Sequence, residues 1–396
     1  MIGLGLSIVQ LAVRQLLGGA FTPDALFAAN EQGAWYDPSD MSKLFQDAAG
    51  TTPVTAVEQP VGLMLDKSRG LVLGPELVTN GDFSAGTTGF AAIGSATLSV
   101  SGGAALVDVT GAAGGIASSG QSFNLTVGKS YRVSVLTGFA TYNGSSLEIR
   151  IAGVGIASIQ QGIGSCVFTA TSTNPILSIQ RVGTATGVFS VDNISVRELP
   201  GNHATQSTAA SRPVLKQDEN GKYYLLFDGI DDSLVTTTIT PGTDKAQVFA
   251  GVRKLSSTAL QVLFGLSDNN ANNGAFELFA PYSSGDYQLR SKGSALAFVQ
   301  APGYTEPITS VVSVSSNISG DLITIRVNGT QAAPSTQDQG TGNFLAYPLY
   351  IGRRGGTSLP FNGRLYSLAV RFGPTLTTEQ ITQTETWVAG KTGVAL

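Results

Sequence analysis

The sequence holds one histidine, His203, in the stretch GNHATQ, and this limits the chemistry open to the chain. A Ser-His-Asp triad needs a buried imidazole beside a serine, and the G-x-S-x-G turn that presents such a serine does not occur. GNHATQ reads instead as a turn. Glycoside hydrolysis needs two carboxylates in one site, yet Glu148 and Glu277 stand isolated in the sequence. Metalloprotease spacing is also missing. These features argue against an enzyme. The residues that remain suit recognition. Tyr142 (ATYNGSS), Tyr282 (APYSSGDYQ) and Tyr304 (PGYTE) lie in loop-like segments where a ring could stack on a sugar; packing in the core or at its rim is the competing reading for each. Tyr287 belongs to a strand. Asn270 and Asn273, in the loop SDNNANNGAF, could hydrogen-bond sugar hydroxyls, or belong to an ordinary solvated loop. Asp228, Asp231 and Asp232 in FDGIDDSL offer hard oxygen ligands for a cation, or form a bend in which aspartates accept backbone amides. The lone cysteine, Cys166, sits in the strand-like SCVFTAT and reads as a buried structural thiol.

The elements that must position these groups are strands. Charged residues make up 13% of the 396, about half the usual share, and there are 49 glycines. A net charge of −4 without a basic stripe argues against nucleic acid as a partner. Period-two alternation recurs from residue 95 onward. Tyr131, Val133 and Val135 share one face, as do Leu147, Ile149 and Ile151, and Ile323, Ile325 and Val327. Asn328-Gly329 supplies the residue pair of a type I′ hairpin turn. Tyr366, Leu368, Val370 and Phe372 are expected on one face. Short strands at this spacing imply sandwiches or jelly rolls. One helix closes the chain: Thr377 and Gln380 form a capping box, Leu376 staples onto Ile381, the inner face is Ile381, Thr384 and Val388, and the end falls near Gly390.

The first twenty residues also have helical period. Ile2, Leu6, Val9, Val13 and Leu16 are spaced as an a/d seam, and Gly18-Gly19 stops it. Such a helix serves docking or oligomerisation; a cleaved signal or a membrane-surface helix are the alternatives.

Residues 33–68 (GAWYDPSDMSKLFQDAAGTTPVTAVEQPVGLMLDKS), together with YLLFDGIDDSLV, LYIGRRGG, FNGRLYSLAV and the terminal TTEQITQTETWVAGKTGV, resemble bacteriophage virion proteins built on a concanavalin A-like (LamG-type) jelly roll. In that family the phrase ending here at LDKS (65–68) runs on into the one starting here at GNHATQ (201–206). The segment between, opening with NGDF and closing with VDNISV, resembles a galactose-binding-like carbohydrate-binding module. The resemblance implies an all-β protein of two β-sandwich jelly rolls, one inserted in a loop of the other. The expected parts are an anchoring helix over 1–22, a concanavalin A-like jelly roll over 23–73 and 199–396, and an inserted module over 74–198. Such inserts are tolerated because their ends lie close together.

The resemblance further implies a structural Ca2+ where the first and last strands of the insert meet, at Asp82 and Asp192, although Ser84 stands where the family carries another acidic residue; the competing reading is that both aspartates only cap turns. No E-x-D-x-E string of the hydrolytic relatives occurs. The function implied is that of a phage tail-associated receptor-binding protein. It would be a homotrimer, attached through residues 1–22 to other tail or baseplate proteins, presenting lectin-like domains to host cell-surface glycans. A non-catalytic decoration protein of the phage head or tail is the alternative, and a secreted bacterial lectin a weaker one.

Overall fold

The structure is a computed structural model that describes residues 21–256, 260–283 and 285–396. Ile2, Leu6, Val9, Val13 and Leu16, expected to anchor or oligomerise the chain, lie outside the described residues. The chain is all-β and divides into two compact units. One comprises residues up to Asp47, Pro53–Leu71 and Gly201–Leu396; the other comprises Ala48–Thr52 and Val72–Pro200.

The larger unit is a sandwich of an eight-stranded and a nine-stranded antiparallel sheet among the described residues. In the first, Lys245–Lys254 lies between Asn362–Phe372 and Ile308–Asn317. In the second, the order from Leu234–Ile239 is Tyr347–Ile351, Val262–Leu266, Ala275–Phe279, Tyr287–Lys292 and Leu296–Ala301. Facing side chains such as Val248, Phe264, Phe276, Leu289, Phe344 and Val370 fill the space between the sheets. Each fully buried side chain of this size contributes about 1.5–3 kcal/mol.

Thr378–Thr392 is the helix, packed on the outer face of the eight-stranded sheet against Phe249, Val311 and Ala369. Its capping box forms as expected at Thr377 and Gln380. It ends later than the sequence suggests: Gly390 stays helical, and Gly393, at φ 75°, closes the helix with its amide on the Ala389 carbonyl. The buried face holds Thr384 and Val388 but also Glu385, whose carboxylate takes Arg326 Nε and Nη2 at 2.8 and 3.1 Å.

One expected face is broken. Leu368, Val370 and Phe372 enter the core, but Tyr366 lies on the helix side, against Tyr224. The cause is a bulge in the pairing with Lys245–Lys254. Gly251 opposes Ser367 while Val252 opposes Leu365, so the alternation slips by one and Leu365 takes the core position. The Asn328-Gly329 turn adopts positive φ at both residues (51° and 76°), as a type I′ turn requires.

The two stretches flanking residues 72–200 are bound together within the larger unit. Leu63–Met64 pairs with Ala204–Thr205. The buried Asp66 carboxylate accepts the Trp35 and Ser68 amides, both at 2.8 Å, and the Asn202 amide at 2.7 Å. His203 is not a surface turn residue. It is 4% exposed, and its Nδ1 accepts the Asp66 amide at 3.0 Å, because the rejoining segment enters the sheet directly after it, as Ala204–Thr205 between Leu63–Met64 and Leu234–Ile239.

The smaller unit is also a two-sheet sandwich, with five strands in each sheet among the described residues. Val133, Ile149, Ile179, Phe189 and Val191 form its core. Cys166 is buried there, on Gly162–Thr169. Its first and last segments run side by side: the Gly74 amide donates to the Glu198 carbonyl at 2.9 Å and the Leu77 amide to the Val196 carbonyl at 3.0 Å.

Candidate functional site

Each strand of the nine-stranded sheet sends alternate side chains inward and outward. Phe276 and Leu278 enter the core, while Glu277 and Phe279 take the outer face. Tyr287 and Leu289 point in, Gln288 and Arg290 out. Ala297 and Val299 point in and leave Phe298 41% exposed. Leu349 and Ile351 point in, leaving Tyr350 half-buried. Register then aligns the outer residues in one row across five strands. Tyr350 opposes Gly265, Gly265 opposes Glu277, Glu277 opposes Arg290, and Arg290 opposes Phe298. Two aromatic rings thus bound a carboxylate and a guanidinium, and Gly265 places no side chain between Tyr350 and Glu277.

Arg354 reaches this row from the turn that follows Tyr347–Ile351. Its Nε and Nη2 donate to the two oxygens of Glu277 at 2.7 and 2.6 Å, the fork geometry guanidinium favours. Phe279 lies beneath, with the Arg290 guanidinium 4.8 Å and the Arg354 guanidinium 5.5 Å from its ring centre. Tyr282 meets the same ring edge-on at 5.5 Å and has Arg290 5.1 Å from its own centre.

The Asn-rich loop closes one end of the face. Gly355, at φ 54°, lies so near Asp268 that a Cβ there would stand about 3 Å from its backbone atoms, which fixes the Arg354 turn against the loop. Burial, and next the Asp268 charge, raise the pKa of the Tyr350 hydroxyl. Within the loop Asn270 is half-buried and Asn273 exposed; the Asn273 carbonyl accepts the Tyr347 hydroxyl at 3.2 Å. Of the residues expected to bind ligand, the structure therefore brings Tyr282 to the outer face and sets the loop of Asn270 and Asn273 at its end.

Tyr304 serves a different purpose. Its ring packs on Tyr287 at 5.7 Å, and its carbonyl accepts the buried Lys254 ammonium at 2.6 Å. Lys254 also donates to the Gly285 carbonyl, pairs with Glu306 at 3.1 Å and lies 4.2 Å from the Tyr287 ring centre. Desolvation lowers the pKa of this lysine and the Glu306 carboxylate opposes the shift. The ammonium ties the loop that carries Tyr282 to the loop that carries Tyr304.

Tyr142 is a core residue of the smaller unit, not an exposed loop ring. It is 7% exposed and packs edge-on against Phe139 and Phe189, and its hydroxyl donates to the Ser146 carbonyl at 3.1 Å. The hydroxyl satisfies a turn from inside, which is how a loop tyrosine becomes core.

The segments of Asp82 and Asp192 do come together, with the Ile194 amide donating to the Gly81 carbonyl at 2.9 Å. Each carboxylate is engaged by its own turn. Asp82 accepts the Ser84 amide and hydroxyl, which lower its pKa, and Asp192 accepts the Asn193 amide at 2.7 Å. The one group of three carboxylates found close together among the described residues is Asp228, Asp231 and Asp232. Asp228 accepts the Ile230 and Asp231 amides, Asp231 accepts the Ser211 hydroxyl, and Asp232 accepts the Asp228 amide, which is the bend anticipated from the motif. Burial, and secondly the Asp228 charge, raise the Asp232 pKa to about 6.

Sequence reading missed Tyr350, Phe298, Arg290, Arg354 and Phe279. For the strand residues the signal was parity, since residues alternating with inward ones such as Phe276, Leu289, Ala297 and Leu349 had to face out; Arg354, in a turn, gave no such signal.

No family model and no curated protein matches the chain. Among solved structures, the chain is similar to the CBM40 of a Ruminococcus gnavus IT-sialidase bound to α2,3-sialyllactose. That pair is 18% identical with a TM-score of 0.30, covering 36% of this chain and 83% of that one. It is similar to the NanB sialidase of Streptococcus pneumoniae at 17% identity and a TM-score of 0.30, covering 35% of this chain and 23% of that one. A leech intramolecular trans-sialidase gives 15% identity and a TM-score of 0.30, with 36% and 23% covered.

Proposed function

We propose that this chain is a non-catalytic glycan-binding protein that holds sugars on the outer face of its nine-stranded sheet. The observation that carries the reading is the register row Tyr350–Gly265–Glu277–Arg290–Phe298. A pyranose presents an apolar face to a ring and hydroxyls to planar polar groups, and the row offers both at fixed spacing on rigid strands. The non-catalytic part of this reading rests on the sequence; in the row itself, both oxygens of Glu277 are bound by Arg354.

The wider role we propose is that of a phage tail-associated adhesin at the host cell surface, trimeric and attached to other tail proteins through its N-terminal residues. This part rests on the sequence resemblance. A glycan array read with the full chain, followed by calorimetry on its best ligands, tests the site. Tyr350→Ala and Phe298→Ala are each expected to weaken binding about tenfold or more at unchanged folding. A chain that binds no glycan favours the decoration role. Light scattering of the full chain against one lacking residues 1–20 tests the trimer, with trimer and monomer the expected pair.

A further inference from the structure

The two arginines of the outer face are unequally used. Arg354 spends its Nε/Nη2 edge on Glu277. Arg290 spends only Nε, which donates to Gln288 Oε1 at 2.9 Å. Its Nη1 and Nη2 have no partner among the described residues, and neither is among the buried polar atoms lacking one, so this edge reaches solvent. The side chain is nonetheless held in place: Phe279 and Tyr282 lie at 4.8 and 5.1 Å from its guanidinium.

The local charges do not fill this edge. Glu277 is the direct cross-strand neighbour of Arg290, but both its oxygens belong to Arg354. Asp286 accepts Gln300 Nε2 and the Gly303 amide. Asp268 accepts Asn272 Nδ2 and the Ser267 hydroxyl. Glu277 thus pairs with Arg354 alone, and the second positive charge sits on the solvent-reaching, planar edge of Arg290. Arg290 is the cross-strand partner of Phe298, whose ring is 41% exposed, and its guanidinium lies against the half-buried Tyr282.

We propose that the Arg290 Nη1/Nη2 edge binds the carboxylate of an acidic sugar whose ring rests against the neighbouring aromatic side chains. This rests on the glycan-binding reading and names the ligand class for the same face. The geometry favours carboxylate, because a planar two-oxygen group meets a planar two-donor edge with both hydrogen bonds in line, which neither an ammonium nor a lone hydroxyl reproduces. Holding the arginine against two rings in the free protein lowers the side-chain ordering cost that a mobile surface arginine incurs on binding.

The test is calorimetry of the full chain with oligomers of galacturonate, glucuronate and mannuronate, their methyl esters, neutral maltotriose and cellotriose, and dextran sulfate. At least one hexuronate is expected to bind, its methyl ester about ten- to a hundredfold more weakly, with a loss of similar size in Arg290→Gln. Arg290→Lys, which keeps the charge but not the fork, is expected to lose about tenfold, and it decides the matter if Arg290→Gln proves unstable. Neutral sugars bound as tightly as hexuronates, with Tyr350→Ala still damaging, overturn the carboxylate proposal and leave the glycan reading standing. Dextran sulfate bound equally, with Arg290→Lys harmless, overturns it in favour of charge alone. No binding to any of these sugars overturns it, and the glycan array then decides the broader reading separately.

Discussion

The Asp66 carboxylate accepts the Asn202 amide at 2.7 Å although 136 residues separate the two. The same buried carboxylate takes the amides of Trp35 and Ser68, and the Asp66 amide donates to His203. One side chain thus joins the first strand and both ends of the interruption. Asp66→Ala leaves several buried donors without an acceptor and is expected to lower the stability of the larger unit by about 2–4 kcal/mol in denaturant unfolding. Asp66→Asn, which keeps one carbonyl oxygen, should lose less.

Removing residues 72–200 and bridging the gap with a short Gly/Ser linker should leave the larger unit folded. Its core residues all lie outside that stretch, and the pairing of Leu63–Met64 with Ala204–Thr205 already holds the flanks. Circular dichroism and a cooperative thermal transition check this. A molten product would show that the larger unit needs the smaller one to fold.

Lys254 and Glu306 form a buried pair, and removing one partner of such a pair costs about 3–5 kcal/mol because the other charge stays buried. Lys254→Ala should show this loss. The double change Lys254→Met with Glu306→Leu should recover much of it, measured by the same unfolding experiment.

Asp232 makes a pH prediction. Its folded pKa is about 6, above its ordinary value, so the folded state holds the proton more tightly than the unfolded chain does. The stabilisation is fully present below about pH 4 and is lost as pH rises through about 6. Asp232→Asn should remove that slope and should be as stable as the parent, or more stable, at pH 8, because its amide oxygen can still accept the Asp228 amide. Urea unfolding of both proteins from pH 4 to 8 measures the difference.

What the sequence made legible follows from local rules. Tyr131, Val133 and Val135 are buried as alternation demands, and Asn328-Gly329 turns as its residue types demand. The failures come from partners that a linear reading cannot see. Tyr366 changed faces because of a bulge opposite Gly251, on another strand. His203 is buried because Asp66, far off in sequence, needs its ring nitrogen. Glu385 sits under the helix because Arg326 waits on the sheet. The candidate site shows the same limit. Searching loops for tyrosines found Tyr142 and Tyr304, which fill cores, whereas the row from Tyr350 to Phe298 exists only once five strands are in register.

The paired ends of the smaller unit, with Gly74 bonded to Glu198 and Leu77 to Val196, have a practical consequence. The stretch 72–200 begins and ends at points that already lie side by side, so its two junctions need no long span of chain between them. Another β-sandwich whose first and last strands end together has the same end geometry, so it could replace residues 72–200 with both Asp66 and Asn202 of the clasp left in place.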